Sequence, residues 1–556
     1  MTKTLILMCV AGAMALVRPC GAAAPDSSGA YPNEEAIHRY AAGRLLEESG
    51  EASDALGEYY RAFALDPRAV SVAARISEVA AQLGDPSRSL EFADRALALD
   101  PNQARLHWLR GAALFNLGRS TEALAALTRA VEADSEQAEY HRTLARVADA
   151  IGRIDLVERS YRRATEIDPD DGESWFQLAA IRARLGRFDE ADEALTLASD
   201  LSPMRPGTLF MRGFIREGQG RYPEAIDCYR HHLEIHQADL VTRRRLVQLL
   251  ARTKRYPEAY HEAQIVSHAQ PDDIVSLEVL ADLAYRSHQA AQGDRIAKDL
   301  EARASSNPDQ VLRLVGLLAR NNRKKEALAV ADRWAKTAPP PRGDMLAAQA
   351  LAITGDPQGA TARGRIALAT APDSLEPRLL LARLLQSQKR YAAAESAWAQ
   401  GLERGADTLS VMLEIAFCRE QLGDLAGAER AVRDVLRGSP SEARALNFLG
   451  YMLADHNLEL DEALAMIRRA LELDPDNGAY VDSLGWVYYR LGRLESARTE
   501  LERALKLTGG DPVIYEHLGD VYRDLKLFTM ARQQYRLSLS LDQKNPKLKA
   551  KLAEIQ

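Results

Sequence analysis

The sequence predicts an all-α fold, a right-handed α-solenoid of about 15 helix-turn-helix units closed by a C-terminal helix. Two observations lead to this prediction. A period of 34 residues runs through most of the 556-residue chain. Ala, Leu, Arg and Glu dominate the composition, while alternating β-branched runs are nearly absent. A chain of this length built on one repeating unit favours a stacked array over separate globular domains.

Each unit is marked by small residues, aromatic residues and prolines at fixed places. Six prolines fall on one 34-residue grid: Pro67, Pro101, Pro169, Pro203, Pro271 and Pro339. Small residues precede the grid points by 12 positions, as at Ala55, Ala123, Ala191, Ala225, Ala259 and Ala327, and aromatics precede them by 8, as at Tyr59, Tyr161 and Tyr229. Glycines recur in the preceding helix at Gly43, Gly111, Gly213, Gly450, Gly485 and Gly519. Small side chains let two antiparallel helices approach closely, and proline ends the second helix, so the pattern predicts two helices per unit.

These features resemble the tetratricopeptide repeat family, which is known by a 34-residue helix-turn-helix unit with a closing proline. The best matches are "WFQLAAIRARLGRFDEADEALTLASDLSP" and "LGWVYYRLGRLESARTELERAL". The resemblance covers nearly the whole chain after its first residues. It implies a stack of helix pairs whose first helices line one side and bind segments of other proteins.

The order of segments along the chain follows from this pattern. Residues 1–24 have the basic start, short apolar run and small residues of a signal peptide, and 25–35 form a short linker. We expect an N-terminal arm of repeats at 36–343, a C-terminal arm at 344–545 and a capping helix at 546–556. The division is placed at "TAPPPRGD", which shortens one interval by a residue. The unit from Ile274 has Gly293 where alanine is usual and lacks the aromatics.

Charge and cysteine content limit the partners. The formal net charge is −7, and loss of Lys3 and Arg18 with the signal peptide reduces 72 basic residues to 70 against 79 acidic ones, a net charge of −9. A mildly acidic chain is not built to coat nucleic acid. Cys228 and Cys418 lie more than five repeats apart, too far for a disulfide, so both are predicted to be free thiols.

No catalytic or cofactor motif is present, so we expect neither an enzyme nor a cofactor. Walker-type, HExxH, CxxC and GxSxG patterns are missing. His232 and His236 are one helical turn apart and could share a metal, but two ligands do not make a site. We therefore expect exposed histidines at a helix end, with a metal-dependent enzyme as the alternative. "TRRRLVQLLARTKR" favours a solvated face, with a docking patch for an acidic segment or anionic glycan as the alternative.

The main candidate site is a second stripe on the helix "DSLGWVYYRLG", away from its core face. It carries large aromatics and charges that an amphipathic helix does not need, which is typical of peptide-binding surfaces. With the neighbouring units it forms the predicted partner-binding groove: Asn447, Tyr451, Asp482, Trp486, Tyr489, Arg490, Glu516, Asp520 and Arg523.

A similar set occurs in the N-terminal repeats and is the secondary candidate groove: Trp108, Phe115, Arg142, Arg146, Phe176, Phe210 and Phe214. An aromatic residue on such a face can instead pack against the first helix of the next unit. The sequence leaves both readings open, for Trp486 and Tyr489 in particular.

The block from Ala443 to Leu539 also resembles exported repeat proteins of the Gram-negative cell envelope. That resemblance implies a periplasmic or outer-membrane-associated adaptor whose partners are other proteins or peptides, such as an envelope protease. Polysaccharide assembly machinery, with contact to glycan, is the alternative. Membrane association would depend on lipidation of Cys20, where Arg18 and Pro19 depart from the usual lipid-attachment pattern.

Overall fold

The computed structural model describes residues 33–304, 307–542 and 545–555. The predicted signal peptide at 1–24 and most of the linker at 25–35 lie outside these residues. Within them the chain has 31 α-helices and no strand, which confirms the all-α prediction. Odd-numbered helices are the first helices of the repeats: α1 (Glu34–Glu48), α3 (Val70–Gln82), α5 (Ala104–Asn116), α7 (Ala138–Ala150), α9 (Gly172–Arg184), α11 (Thr208–Gly218), α13 (Leu240–Arg252), α15 (Ile274–Arg286), α17 (Pro308–Arg320), α19 (Arg342–Thr354), α21 (Leu375–Ser387), α23 (Thr408–Gln421), α25 (Ala443–Asp455), α27 (Gly478–Arg490), α29 (Pro512–Asp524) and the closing α31 (Pro546–Glu554).

Even-numbered helices are the second helices of the repeats: α2 (Ala52–Leu65), α4 (Pro86–Leu99), α6 (Ser120–Ala133), α8 (Ile154–Ile167), α10 (Phe188–Leu201), α12 (Tyr222–Ile235), α14 (Tyr256–Ala269), α16 (Ala290–Arg303), α18 (Lys324–Thr337), α20 (Pro357–Thr370), α22 (Tyr391–Glu403), α24 (Leu425–Gly438), α26 (Leu460–Leu473), α28 (Leu494–Thr508) and α30 (Phe528–Leu541). The second helices α2 to α12 and α16 to α30 each pack against the first helix before them. The residues up to Val266 form one compact unit and those from Ser267 a second, here called the N-terminal and C-terminal units. This boundary, between Val266 and Ser267, differs from the predicted division between residues 343 and 344. The predicted division into two arms of repeats stays a prediction.

Close contact between the two helices of a repeat depends on the predicted small residues. Ala55, Ala225 and Ala531 are fully buried. At Gly213, an added Cβ would lie 2.6 Å from the ring of Tyr229, so only glycine fits there. The Tyr229 ring is itself fully buried, and its hydroxyl donates to Glu217 at 2.8 Å. The buried core of each of these repeats therefore lies at the positions that the 34-residue pattern predicts.

A recurrent hydrogen bond, which the pattern did not predict, ties first helices to the turns before them. The side chain of the fourth residue of the first helix lies within hydrogen-bond distance of the backbone carbonyl oxygen six residues earlier. Examples are His107 with Pro101 at 2.8 Å, His141 with Ser135 at 3.1 Å, Trp175 with Pro169 at 2.9 Å, Arg243 with Gln237 at 2.9 Å and Arg378 with Pro372 at 2.7 Å. Three chemically different residue types, His, Trp and Arg, make this bond because each reaches a carbonyl left free at the end of a helix.

The repeat that begins at Ile274 has no aromatic in its second helix, yet its core is not empty. Tyr285 from the first helix fills the space, and an added Cβ at Gly293 would lie 2.6 Å from that ring. The Tyr285 hydroxyl donates to Asp294 at 2.9 Å. Glycine replaces alanine here because the aromatic ring approaches from the opposite helix.

The C-terminal helix α31 closes the array as a half repeat. Its Leu548 is fully buried, and Asn545 caps the helix by accepting from the Leu548 N–H at 3.2 Å. The free thiols predicted at Cys228 and Cys418 are both present, Cys418 buried and Cys228 half-buried. Burial raises the pKa of the Cys418 thiol to about 11.

Candidate partner-binding surface

The side chains that first helices turn away from the second helices form a surface that we call the first-helix face. In the C-terminal unit this face holds the main predicted groove, on α25, α27 and α29. Its central member, Trp486, is only 7% exposed. The indole is stacked between Tyr489, with ring centroids 4.9 Å apart, and His517, at 4.1 Å. Its Nε1 donates to Asp455 at 3.2 Å. Trp486 therefore packs between repeats.

Asp482 and His517 form a buried pair beneath this stack. The Nδ1 atom of His517 lies 2.9 Å from Oδ1 of Asp482, and both residues are buried. Burial acts to lower the pKa of His517, but the charge of Asp482 and the hydrogen bond to it outweigh burial, so the pKa lies above its ordinary value of 6.5. His517 had no place in the sequence prediction, because no local pattern marks a histidine that meets a carboxylate 35 residues away.

The carboxylates of α29 are satisfied by the chain itself. Asp520 is 4% exposed; it accepts from the Tyr535 hydroxyl at 2.7 Å and from Lys551 at 2.6 Å. Glu516 accepts from the same ammonium group at 2.7 Å. Because Lys551 belongs to the closing helix α31, this helix provides the ion-pair partner of both carboxylates.

Tyr489 and Arg523 are half-buried and belong to one hydrogen-bonded group with Asp524. The Tyr489 hydroxyl donates to Asp524 at 2.7 Å, and Arg523 donates to that hydroxyl oxygen at 3.2 Å. Burial, together with the bond to Asp524, raises the pKa of Tyr489 well above its ordinary value. The phenol therefore stays a neutral donor.

The remaining predicted members are also half-buried. The Arg490 guanidinium lies 5.8 Å from the centre of the Trp486 ring, and the Tyr451 ring lies 6.3 Å from His517. Asn447 has a buried Oδ1 atom with no hydrogen-bond partner among the described residues. The structure thus brings all nine predicted residues onto neighbouring helices.

The expectation of an open groove is wrong for three of these residues. Asp482, Trp486 and Asp520 are buried because the first helices of successive repeats pack directly against one another through them. A partner-binding role for the six half-buried members stays a prediction.

The secondary candidate set, in the N-terminal unit, is more open. Trp108, Arg142, Phe176 and Phe210 are 34 residues apart and therefore occupy the same place on α5, α7, α9 and α11. All four are half-buried. Trp108 donates from its Nε1 to Thr143 at 3.0 Å, and Arg142 donates to Asp171 at 2.7 Å. These bonds link first helices of neighbouring repeats while part of each side chain remains accessible.

Arginines lie over the phenylalanines of this face. The Arg146 guanidinium is 5.9 Å from the ring centre of Phe115, Arg205 is 4.1 Å from Phe176, and Arg245 is 4.5 Å from Phe214. Phe210 lies 6.0 Å from His232. The predicted residues thus lie on successive first helices, where Phe115, Phe176 and Phe214 each pair with a guanidinium group. Aromatic rings paired with arginine are typical of interfaces with other proteins.

Charge is distributed unequally between the two helices of a repeat. The first helices α5, α7, α9, α11 and α13 hold 12 arginines and 4 acidic residues, whereas the second helices α6, α8, α10, α12 and α14 hold 5 arginines and 15 acidic residues. In the C-terminal unit, first helices α15 to α29 hold 10 arginines and 12 acidic residues. The excess of arginine on first helices α5 to α13 is therefore not repeated on the first helices of the C-terminal unit.

The predicted histidine and arginine clusters are partly buried. His232 is buried with Nε2 3.0 Å from Asp239, so the expectation of an exposed residue was wrong for it, while His236 is exposed. Among the described residues, no group of three or more His, Cys, Asp or Glu is arranged to hold a metal. Within the arginine run, Arg243 is buried and paired with Glu262, so the run is not simply a solvated face.

A stack of helix pairs with a 34-residue period defines a helical repeat protein of the α-solenoid class. Tetratricopeptide repeat models match residues 40–104, 75–138 and 419–480, and further models of the same repeat match 160–193, 459–520 and 513–545. Together with the helix pairs described above, these matches mark the chain as a tetratricopeptide repeat protein.

One curated relative is the TPR repeat-containing protein PA4667 of Pseudomonas aeruginosa, 32% identical over 184 residues. The aligned part covers 32% of this chain and 31% of that protein, so the match spans about a third of the relative's length.

Among the described residues, no helix is both long and apolar enough to cross a membrane.

Solved structures with similar repeats include the complex described as Naa15/Naa10 bound to HypK-THB, at 13% identity and a TM-score of 0.40, covering 94% of this chain and 96% of that chain. YrrB, described as a TPR protein with an unusual peptide-binding site, is 24% identical with a TM-score of 0.29 and covers 32% of this chain and 91% of its own. MamA from Desulfovibrio magneticus RS-1 is 19% identical with a TM-score of 0.30, covering 32% and 99%. At these values the likeness concerns the helical repeat alone.

Proposed function

We propose that this protein is an exported, non-enzymatic scaffold of the cell envelope that binds other proteins or peptides on the first-helix face of its N-terminal unit. A tetratricopeptide repeat array is a scaffold for protein interactions. The signal-peptide pattern in residues 1–24 supports export. The repeats account for nearly all of the described chain, which supports a binding role without a catalytic domain.

The observation that carries the proposal is the contrast between the two first-helix faces. In the C-terminal unit the aromatic and acidic residues are stacked and paired with one another, and Trp486 is buried. In the N-terminal unit, half-exposed rings such as Phe176 and Phe214 lie beneath guanidinium groups at the surface. Rigid, partly exposed aromatic rings supply contact area at low entropic cost, so this face is the better docking surface.

Capture of partners by aromatic variants tests the proposal. The full mature chain carrying Phe176→Ala and Phe214→Ala is compared with wild type as bait in envelope extracts, and the captured proteins are quantified by mass spectrometry. The control is Phe528→Ala, which removes an exposed phenylalanine from the second helix α30.

We expect the double variant to lose a specific partner about tenfold or more, because central aromatic contacts contribute about 2 kcal/mol or more to binding. The control variant is expected to retain it. Equal capture by all three proteins, with unchanged circular dichroism, would contradict a role for this face.

A further inference from the structure

We infer that the partner segment recognised by the N-terminal first-helix face is acidic and extended. This inference rests on the proposed function and specifies the chemistry of the partner. Its first support is the excess of arginine on the first helices α5 to α13, which stands against a chain whose formal net charge is −7. A local basic surface on an acidic protein raises the encounter rate with acidic segments and disfavours basic ones.

Most arginines of this face already hold a carboxylate. Arg142 bonds to Asp171 at 2.7 Å, Arg184 to Asp149 at 2.8 Å and Arg245 to Glu217 at 2.7 Å. These three groups are neutralised within the chain, so they position the face without calling for an outside anion.

Arg146 and Arg252 differ from the arginines just named. Both are exposed, and among the described residues neither has a carboxylate within ion-pair distance. Each guanidinium is held over a ring instead, Arg146 at 5.9 Å from the centre of Phe115 and Arg252 at 4.7 Å from that of Tyr222. A guanidinium lying on an aromatic ring keeps its N–H donors directed sideways and outward, ready for a carboxylate.

The spacing of these two arginines sets the length of the segment. Arg146 lies on α7 and Arg252 on α13, three repeats further along the array. At about 10 Å between packed helices, the two guanidinium groups are separated by about 30 Å. An extended chain advances about 3.3 Å per residue, so about nine residues join the two contacts. The half-exposed Phe176, Phe210 and Phe214 lie on the intervening helices α9 and α11, where they can receive apolar side chains.

Fluorescence anisotropy with defined peptides tests the inference. The probe is a labelled, carboxy-amidated peptide of about twelve residues, rich in glutamate with a few leucines, and its counterpart has glutamine at every glutamate. Amidation removes the terminal carboxylate, so any preference for the probe comes from internal acidic side chains. The full mature chain is titrated at low and at high ionic strength, since exposed charge pairs weaken as salt rises.

The test variant is Arg146→Gln combined with Arg252→Gln. Its matched control is Arg129→Gln combined with Arg159→Gln, which removes the same charge from exposed positions on the second helices α6 and α8. We expect wild type and control to bind the glutamate peptide more tightly than its glutamine counterpart, and the test variant to bind it about fivefold more weakly. That difference should shrink at high salt.

Several outcomes would overturn the inference. Equal binding of both peptides that is lost on Phe176→Ala and Phe214→Ala would retain the proposed function and reject the acidic partner. Tighter binding of a single-stranded oligonucleotide than of the glutamate peptide would assign the face to nucleic acid. Salt-sensitive self-association in sedimentation velocity, abolished by Arg146→Gln and Arg252→Gln, would assign it to the acidic second helices of another copy. Absence of binding to the glutamate peptide would also reject it.

Discussion

Replacement of Trp486 by alanine should destabilise the C-terminal repeats rather than remove a binding contact. The side chain is 93% buried, since its exposure is 7%, and it is stacked on two rings. Truncation of a core tryptophan costs about 3–5 kcal/mol, and each lost ring pair contributes about 0.5–1.5 kcal/mol to such values. The bond to Asp455 adds little, because that carboxylate is exposed and regains water. We therefore expect a loss of about 4 kcal/mol.

The assay is hydrogen exchange with mass spectrometry, because a long repeat array need not unfold in one step. In Trp486→Ala, the protection of backbone amides against exchange should fall in α25, α27 and α29 and remain unchanged in α5 to α13. Trp108→Ala is the matched control: the same residue type at a half-buried place on the N-terminal first-helix face, with an expected loss of about 2 kcal/mol at most. If the free energy of opening of α27 and α29, derived from the exchange rates, changes by less than about 1 kcal/mol, the packing role of Trp486 is refuted.

Three further predictions concern stability and reactivity. Gly213→Ala should destabilise by about 1–3 kcal/mol because its Cβ would lie 2.6 Å from a buried ring, whereas Gly316→Ala, with nothing within 4 Å, should stabilise by about 0.5–1 kcal/mol in thermal melts. Because the pKa of His517 is raised above 6.5, its stabilisation is full below that pH and is lost as pH rises through the folded pKa; Asp482→Asn should flatten this dependence in urea titrations at pH 6 to 9. Cys418, with a pKa of about 11, should react with a thiol reagent only after unfolding.

Charged groups from three helices surround the ring of His517. Asp482 faces it from α27, and Glu516 and Asp520 add negative charge from its own helix. Lys551 of α31 neutralises the latter two at 2.7 and 2.6 Å. Asp482 is therefore the partner whose removal should matter most, and an unchanged pH dependence in Asp482→Asn would contradict the assignment.

The fold could be predicted because its determinants are local and repeated. A closing proline, an alanine at a helix contact and a glycine beneath an aromatic ring each act within one repeat, and 34-residue spacing makes them visible in a single sequence. Tyr285 escaped notice because it fills the core from the first helix, where the pattern places no aromatic. The hydrogen bonds from the fourth residue of the first helix to a backbone carbonyl oxygen were not predicted, because His107, Trp175 and Arg243 are different residue types.

The binding surface was harder to predict because accessibility depends on contacts between repeats. The same helical stripe carries Trp486 in one unit and Phe176 in the other, and both look like aromatic anchors in the sequence. Trp486 is buried because His517 of the next repeat stacks on it at 4.1 Å. Phe176 has an arginine over it at 4.1 Å and stays half-exposed. A rule for one helix cannot distinguish these cases, since the deciding residue lies on the neighbouring helix.

Site-specific photo-crosslinking tests most directly that the N-terminal first-helix face binds the partner. A benzophenone amino acid is placed at Phe214 in one protein and at Phe528 in another, and both are irradiated in cells of the native host. We expect a discrete crosslinked product from position 214, reduced when Arg146→Gln and Arg252→Gln are added, and no such product from 528. Crosslinking from 528 alone, or equally from both positions, would contradict this expectation.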